Sequence, residues 1–227
     1  MFLKKKMLQK LNNRGSSLVT VIVIIAFLTI ITTTLLYMSG MNFHMKATDR
    51  STKESFYEAE TGLEELRSSI AAMVSVYAME SVEDVINNYA NVDGEARNLL
   101  YRDAVNNNMI AAWTSLSAYI DTDGSIAYDY TNVLKTMVTS QYADSLIGGG
   151  YMEAVDGILY IRDVQYQYTD ADGFTTIIET DFMIVAPDYS FGTDVSATTI
   201  PAGETVDTTE QSVNISECVV YCNWEKK

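Results

Sequence analysis

The chain is poor in the side chains on which several broad functions depend. Among 227 residues there is one histidine, two cysteines and only 15 bases against 30 acids, a formal charge of −15. A structural zinc site needs about four Cys or His ligands, and only His44, Cys218 and Cys222 exist. A nucleic-acid binder carries a basic footprint, so direct nucleic-acid binding is not expected. Hydrophobic content of 48% with 20% charged residues excludes disorder as a description of the bulk.

The few bases are unevenly placed. Lys4, Lys5, Lys6, Lys10 and Arg14 precede any acid, and no Asp, Glu, Lys or Arg occurs from Gly15 to Met45. The other ten bases and all 30 acids follow Met45, so the chain beyond Gly15 carries −20. Between the two regimes lies Leu18 to Met38, 21 residues without a charge, 13 of them Leu, Ile, Val or Phe. A helix of that length spans roughly 31 Å, close to the roughly 30 Å of a hydrocarbon core. At about 0.3 to 0.6 kcal/mol each, those side chains favour insertion by at most roughly 4 to 8 kcal/mol. Thr20, Thr29, Thr32, Thr33 and Thr34 subtract little, because a helical Thr hydroxyl bonds the carbonyl one turn back. Basic residues before the span put the amino terminus in the cytoplasm and the acidic body outside. The run is too long for the core of a cleaved secretory signal, and Ser39-Gly40 is a weak cut site.

The boundary before the span, Asn13-Arg14-Gly15-Ser16-Ser17-Leu18, resembles the class III signal of type IV prepilins. Downstream, Phe56-Tyr57-Glu58-Ala59-Glu60-Thr61-Gly62-Leu63-Glu64 resembles the aromatic-x-Ala-Glu-x-Gly-Leu-Glu stretch of the PilX N-terminal family of minor pilins. The resemblance covers roughly residues 14 to 66. It implies a leader of residues 1–15, cleavage by prepilin peptidase between Gly15 and Ser16, and N-methylation of Ser16. It further implies residence in the cytoplasmic membrane, then in a filament with other pilins at the cell surface. Phe56, Ala59, Glu60, Gly62 and Leu63 are the assembly residues it points to, with no cofactor and no enzymatic activity. At the fifth mature position, where most pilins have glutamate, this chain has Thr20. Family knowledge pairs that glutamate with the terminal amine of the subunit already incorporated, and an unpaired charge in so apolar a setting costs several kcal/mol. Threonine there fits a subunit that starts the filament or sits at its tip; a subunit scattered at low copy is the other placement. The competing class is an uncleaved single-pass membrane protein displaying an acidic extracytoplasmic receptor or adhesive domain.

Phe56, Ala59, Leu63, Leu66, Ile70, Met73 and Tyr77 are spaced as an a/d seam, which lays one stripe on a partner or on the chain's own domain. A helix from Ser17 to Tyr77 would extend about 90 Å. The expected organisation is a leader (1–15), an extended helix (16–80, with 18–38 transmembrane), a helical segment (81–150) and an antiparallel β domain (151–227). In the helical segment Ser81 and Asp84 read as a capping-box variant, and Asn91-Val-Asp-Gly94 as a break. A second helix runs to Ile120, weakened at Asn106-Asn107-Asn108, and a short one covers Leu134 to Leu146, stopped by Gly148-Gly149-Gly150.

From Gly157 the period becomes two. Val164, Tyr166 and Tyr168 precede Asp170-Ala-Asp-Gly173, and Thr176, Ile178, Thr180, Phe182 and Ile184 follow, a β-hairpin. Further strands punctuated by Pro187, Gly192 and Pro201-Ala-Gly203, with Val213 to Trp224 alternating, give about four strands with one face on the long helix. The fold class is therefore α+β, and pilin-like.

Asp170, Asp172, Gly173 and Glu179 match positions 3, 5, 6 and 12 of a calcium loop, but Tyr168 would be the first ligand and strands flank it, so a turn is preferred. Cys218 and Cys222 lie about 13 Å apart in a strand but near 6 Å in a helical turn or bulge; the pattern says strand and the compartment says disulfide. Tyr160, Tyr166 and Tyr168 form either an adhesive surface or a half-buried sheet face. His44 has no sequence-adjacent catalytic partner and reads as an interface residue.

Overall fold

The computed structural model describes residues 2–88, 92, 94–187 and 217–227, with the side chains of 2–16 and 94–95 outside the description. Gly192, Pro201-Ala-Gly203 and the beginning of the 213–224 run lie outside the described residues, as do most of residues 89–93 and the side chains of Gly15 and Ser16. The chain divides into two units, Met1–Ser51 and Thr52–Lys227. Helix α1 (Phe2–Asn88) contributes to both. It is followed by α2 (Gly94–Ser117), β1 (Ala118–Ile120), β2 (Ile126–Tyr128), α3 (Tyr130–Met137), α4 (Ser140–Ala143), β3 (Leu146–Gly148), β4 (Tyr151–Val155), β5 (Ile158–Thr169), β6 (Thr175–Ile184) and β7 (Val219–Lys226). This is an α+β layout: a long amino-terminal apolar helix and a carboxy-terminal antiparallel sheet.

In the second unit α1 buries Ala59, Leu63, Leu66, Ile70, Val74, Ala78, Val82 and Val85. The expected stripe holds to Ile70 and then departs, with Met73 and Tyr77 half-buried beside Val74 and Ala78. A seam of period 3.5 belongs to supercoiled helices, whereas a single helix on a sheet follows the 3.6 of an unstrained α-helix. The helix does not restart at Ser81. That side chain is buried, and its Oγ accepts a hydrogen bond from Asn108 Nδ2 at 3.1 Å.

The asparagines of α2 do not weaken it into a break. Asn106 Nδ2 donates to the Gly157 carbonyl at 3.0 Å, so tertiary bonds offset poor intrinsic propensity. Tyr101, Val105, Met109 and Trp113 form the buried stripe of α2. The helix ends at Ser117 rather than Ile120. Ala118–Ile120 pairs antiparallel with Ile126–Tyr128 across Asp121-Thr-Asp-Gly124, whose glycine has φ +82°.

The helix expected over Leu134 to Leu146 is instead two short helices and a strand. Asp129 caps α3 by accepting from Asn132 N at 2.9 Å, and Val138 is extended, which ends it. Gly148-Gly149-Gly150 is a crossing point rather than a helix stop: Gly149 has φ +85°, and a Cβ there would fall on the Asp163 carbonyl. The Gly150 carbonyl accepts from Trp113 Nε1 at 2.7 Å.

The sheet has five strands, in the order β3-β5-β6-β7 with β4 also on β5. Both β3 and β4 precede Gly157, and β4 is joined to β5 by Asp156-Gly157, an Asp-Gly turn like the one that closes β5 and β6. At the latter turn Gly173 N donates to Asp170 O at 3.1 Å, and Thr176, Ile178, Thr180, Phe182 and Ile184 of β6 share the buried face. β7 completes the sheet by pairing with β6. Val219 is buried, Tyr221 packs on the core and Val220 is 43% exposed. A bulge at Asn223–Trp224, with Asn223 at φ +54°, then puts Trp224 on the helix side against Phe56, at 5.9 Å between ring centroids.

Candidate functional site

In the first unit the uncharged stretch of α1 is long and apolar enough to cross a membrane, and none of its apolar window is buried. Thr29, Thr32, Thr33 and Thr34 each bond the carbonyl four residues back at 2.8 Å, which leaves no hydroxyl demand on an apolar surrounding. Thr20 stands exposed on this helix.

The Phe56–Glu64 motif lies in the second unit, where most of it faces inward. Ala59 and Leu63 are buried in the core. Gly62 lies under the Tyr166 ring, and a Cβ at Gly62 would fall within 2.7 Å of Cε2 and closer still to Cζ and Oη. Burial pushes the Tyr166 phenol up to about 12. Phe56 is half-buried between Trp224 and the Lys226 ammonium, 5.2 Å from its ring centroid. Ser55 and Thr176 share a buried hydroxyl pair at 2.8 Å. Of the acids, Glu58 accepts from the Tyr142 hydroxyl at 3.4 Å, Glu65 accepts the Thr139 N–H at the start of α4 at 2.7 Å, and Glu60 is exposed. Among the anticipated assembly residues, Ala59, Gly62 and Leu63 therefore hold α1 to its own sheet. A partner helix has no access to them.

The opposite face of the sheet centres on Asp181, 8% exposed. Its carboxylate accepts from Arg162 Nη1 at 2.9 Å, Asp163 N at 2.9 Å and Asn223 Nδ2 at 2.8 Å. It thereby latches the β5 bulge at Arg162–Asp163, where Asp163 has φ +56°, to the β7 bulge at Asn223. Arg162 also bonds Glu153 at 2.7 Å and stacks 4.1 Å from the centroid of Tyr160. Burial pushes the Asp181 carboxyl up, but the Asp163 N–H, the Asn223 amide and the Arg162 guanidinium together hold it below its ordinary value. With Tyr166 in the core and Tyr160 under Arg162, these two tyrosines do not form an exposed adhesive row.

Asp170 Oδ1 accepts from the N–H groups of Asp172 and Phe174, an Asx-type turn, while Glu179 accepts from Gln165 and Lys227. Asp170 and Glu179 thus serve turn and strand contacts, and among the described residues no three His, Cys, Asp or Glu gather as a metal site. Cys218, just before β7, is buried and Cys222 within it is half-buried, both as free thiols. Burial, then the nearby Asp181, pushes the Cys222 thiol up. Arg162 and Asp181 carry the architecture without having been singled out by sequence, and Tyr166 was read only as part of a strand face or an adhesive row. Their only local trace was the alternation of β5 and β6. No family model, characterised protein or solved structure matches the chain.

Proposed function

We propose that the chain is a prepilin-like minor pilin, similar to the PilX N-terminal family, that is held in the cytoplasmic membrane by residues 18–38 and then joins a filament. Residues 1–15 form the leader, cut between Gly15 and Ser16, and Ser16 is the methylated terminus. The partners are prepilin peptidase, the bilayer and other pilins. The observation that carries the reading is a division of labour within α1. Its second half is buried in a self-contained domain, whereas its first half offers an uncovered apolar surface to lipid or to other helices. Transfer from acyl chains to neighbouring helices involves little change in hydrophobic burial, so packing drives it. Contacts with other pilins accordingly fall on the helix before Thr52 rather than on Ala59, Gly62 and Leu63.

Co-expression with a prepilin peptidase tests the processing step. The chain shortens by 15 residues and Gly15→Leu blocks the cut. A chain that keeps its leader beside an active peptidase is instead the single-pass anchor with an acidic ectodomain. Thr20 supports placement at the start or tip, because the first subunit has no preceding amine to neutralise. Thr20→Glu is expected to raise the number of copies per filament several-fold, counted by quantitative immunogold labelling; unchanged number and position would remove the tip assignment.

A further inference from the structure

We propose that Met38, Met41, His44 and Met45 form a binding site for a soft monovalent metal ion, copper(I). At about 100° per residue these four side chains fall within about 120° of the circumference of α1 and within two turns of one another. Met41 is the hub. His44 lies three residues from it and Met45 four, separations that place helical side chains about 5–6 Å apart at Cβ. Met38 stands one turn before Met41, on the same face.

The donor chemistry selects the metal. Three thioethers and one imidazole are soft to borderline ligands, and thioethers favour copper(I) over the hard cations that need carboxylates. No Asp or Glu occurs from Gly15 to Met45, and the nearest carboxylate, Asp49, stands one turn beyond Met45. No other described part of the chain covers the sulfurs. Met38, Met41 and Met45 are 58%, 50% and 67% exposed and His44 is exposed. Unbranched methionine side chains with three rotatable bonds can close on an ion without moving the backbone. The Phe43 ring stands edge-on to His44 at 6.4 Å. Other apolar side chains of the same helix, such as Leu35 and Leu36, could line a lipid-facing stripe equally well, but they bring no donor atom. The site needs only α1, so it is independent of whether the leader is cut.

The test uses the full chain in phosphatidylcholine nanodiscs, with copper(I) held reduced by ascorbate and presented as its ferrozine complex. The wild type is expected to withdraw one copper(I) per chain. The double variant Met41→Leu/Met45→Leu, which preserves apolar character and insertion, should bind at least tenfold more weakly, as should His44→Ala. Met79→Leu, an exposed methionine of the second unit, should bind as the wild type does. With silver(I) as an air-stable d10 substitute, the methyl resonances that move should be those of Met38, Met41 and Met45 among the chain's 11 methionines. Failure to withdraw copper(I), equal binding by Met41→Leu/Met45→Leu, or shifts confined to other methionines would overturn the proposal.

Discussion

Gly62→Leu is expected to lower the unfolding free energy of the second unit by more than about 3 kcal/mol, with Gly62→Ala losing about 1–2. The sign is informative, because at an exposed helical site replacing Gly by Ala gains about 1 kcal/mol. Here any Cβ enters the Tyr166 ring, which is fully buried and has Tyr142 beside it at 6.4 Å between centroids. The ring cannot swing out without opening the core, and overpacking costs about 1–3 kcal/mol or more, which outweighs the propensity gain. Denaturant titration followed by tryptophan fluorescence measures the loss, since Trp113 reports from the core. Combining Gly62→Ala with Tyr166→Leu should cost less than the sum of the two changes, because each relieves the other's steric effect. A net stabilisation by Gly62→Ala would mean that the helix does not lie under that ring.

Asp181→Ala should be comparably damaging, by about 2–3 kcal/mol. Removing one partner of a buried ion pair costs about 3–5 kcal/mol, and the remaining partial exposure of Arg162, 21% for its side chain, together with its bond to Glu153, places the effect toward or below the lower end. The substitution also strips acceptors from Asp163 N and Asn223 Nδ2 and so unlatches both bulges. The pH dependence follows from the depressed carboxyl. Its folded value lies below the unfolded one of about 3.9, so the associated stability is fully present above that pH and is lost as pH falls through the folded value. Asp181→Ala should therefore flatten the acid limb of a plot of denaturation midpoint against pH, measured from pH 6 down to 2. Parallel acid limbs in the wild type and the variant would show that the carboxylate contributes nothing through this network.

How far the fold could be read from sequence depended on how local its causes are. The apolar span, the hairpin at Asp170–Gly173 and the inward face of β6 follow from hydrophobic period and turn chemistry, and they stand as read. Ser81 and Asn108 misled in opposite directions for a single reason. Each carries the local mark of a helix end or a weak helix, yet they satisfy one another across 27 residues. The alternation expected through Trp224 is broken by a bulge tied to Asp181, 42 residues away from Asn223, which nothing within β7 announces. The seam through Ala59 and Leu63 was legible as a buried stripe, but its partner was not. Whether another helix or the chain's own sheet covers it is decided by Tyr166, a residue 104 positions beyond Gly62.

The central claim is that the uncovered half of α1 passes from bilayer to fibre after its basic leader is removed. It is tested most directly by the intact mass and amino-terminal sequence of the protein in surface appendages sheared from the cells that make it. The chain in that fraction is expected to begin at Ser16 and to carry a methyl group on its terminal amine. A chain confined to the membrane fraction and still beginning at Met1 would contradict it.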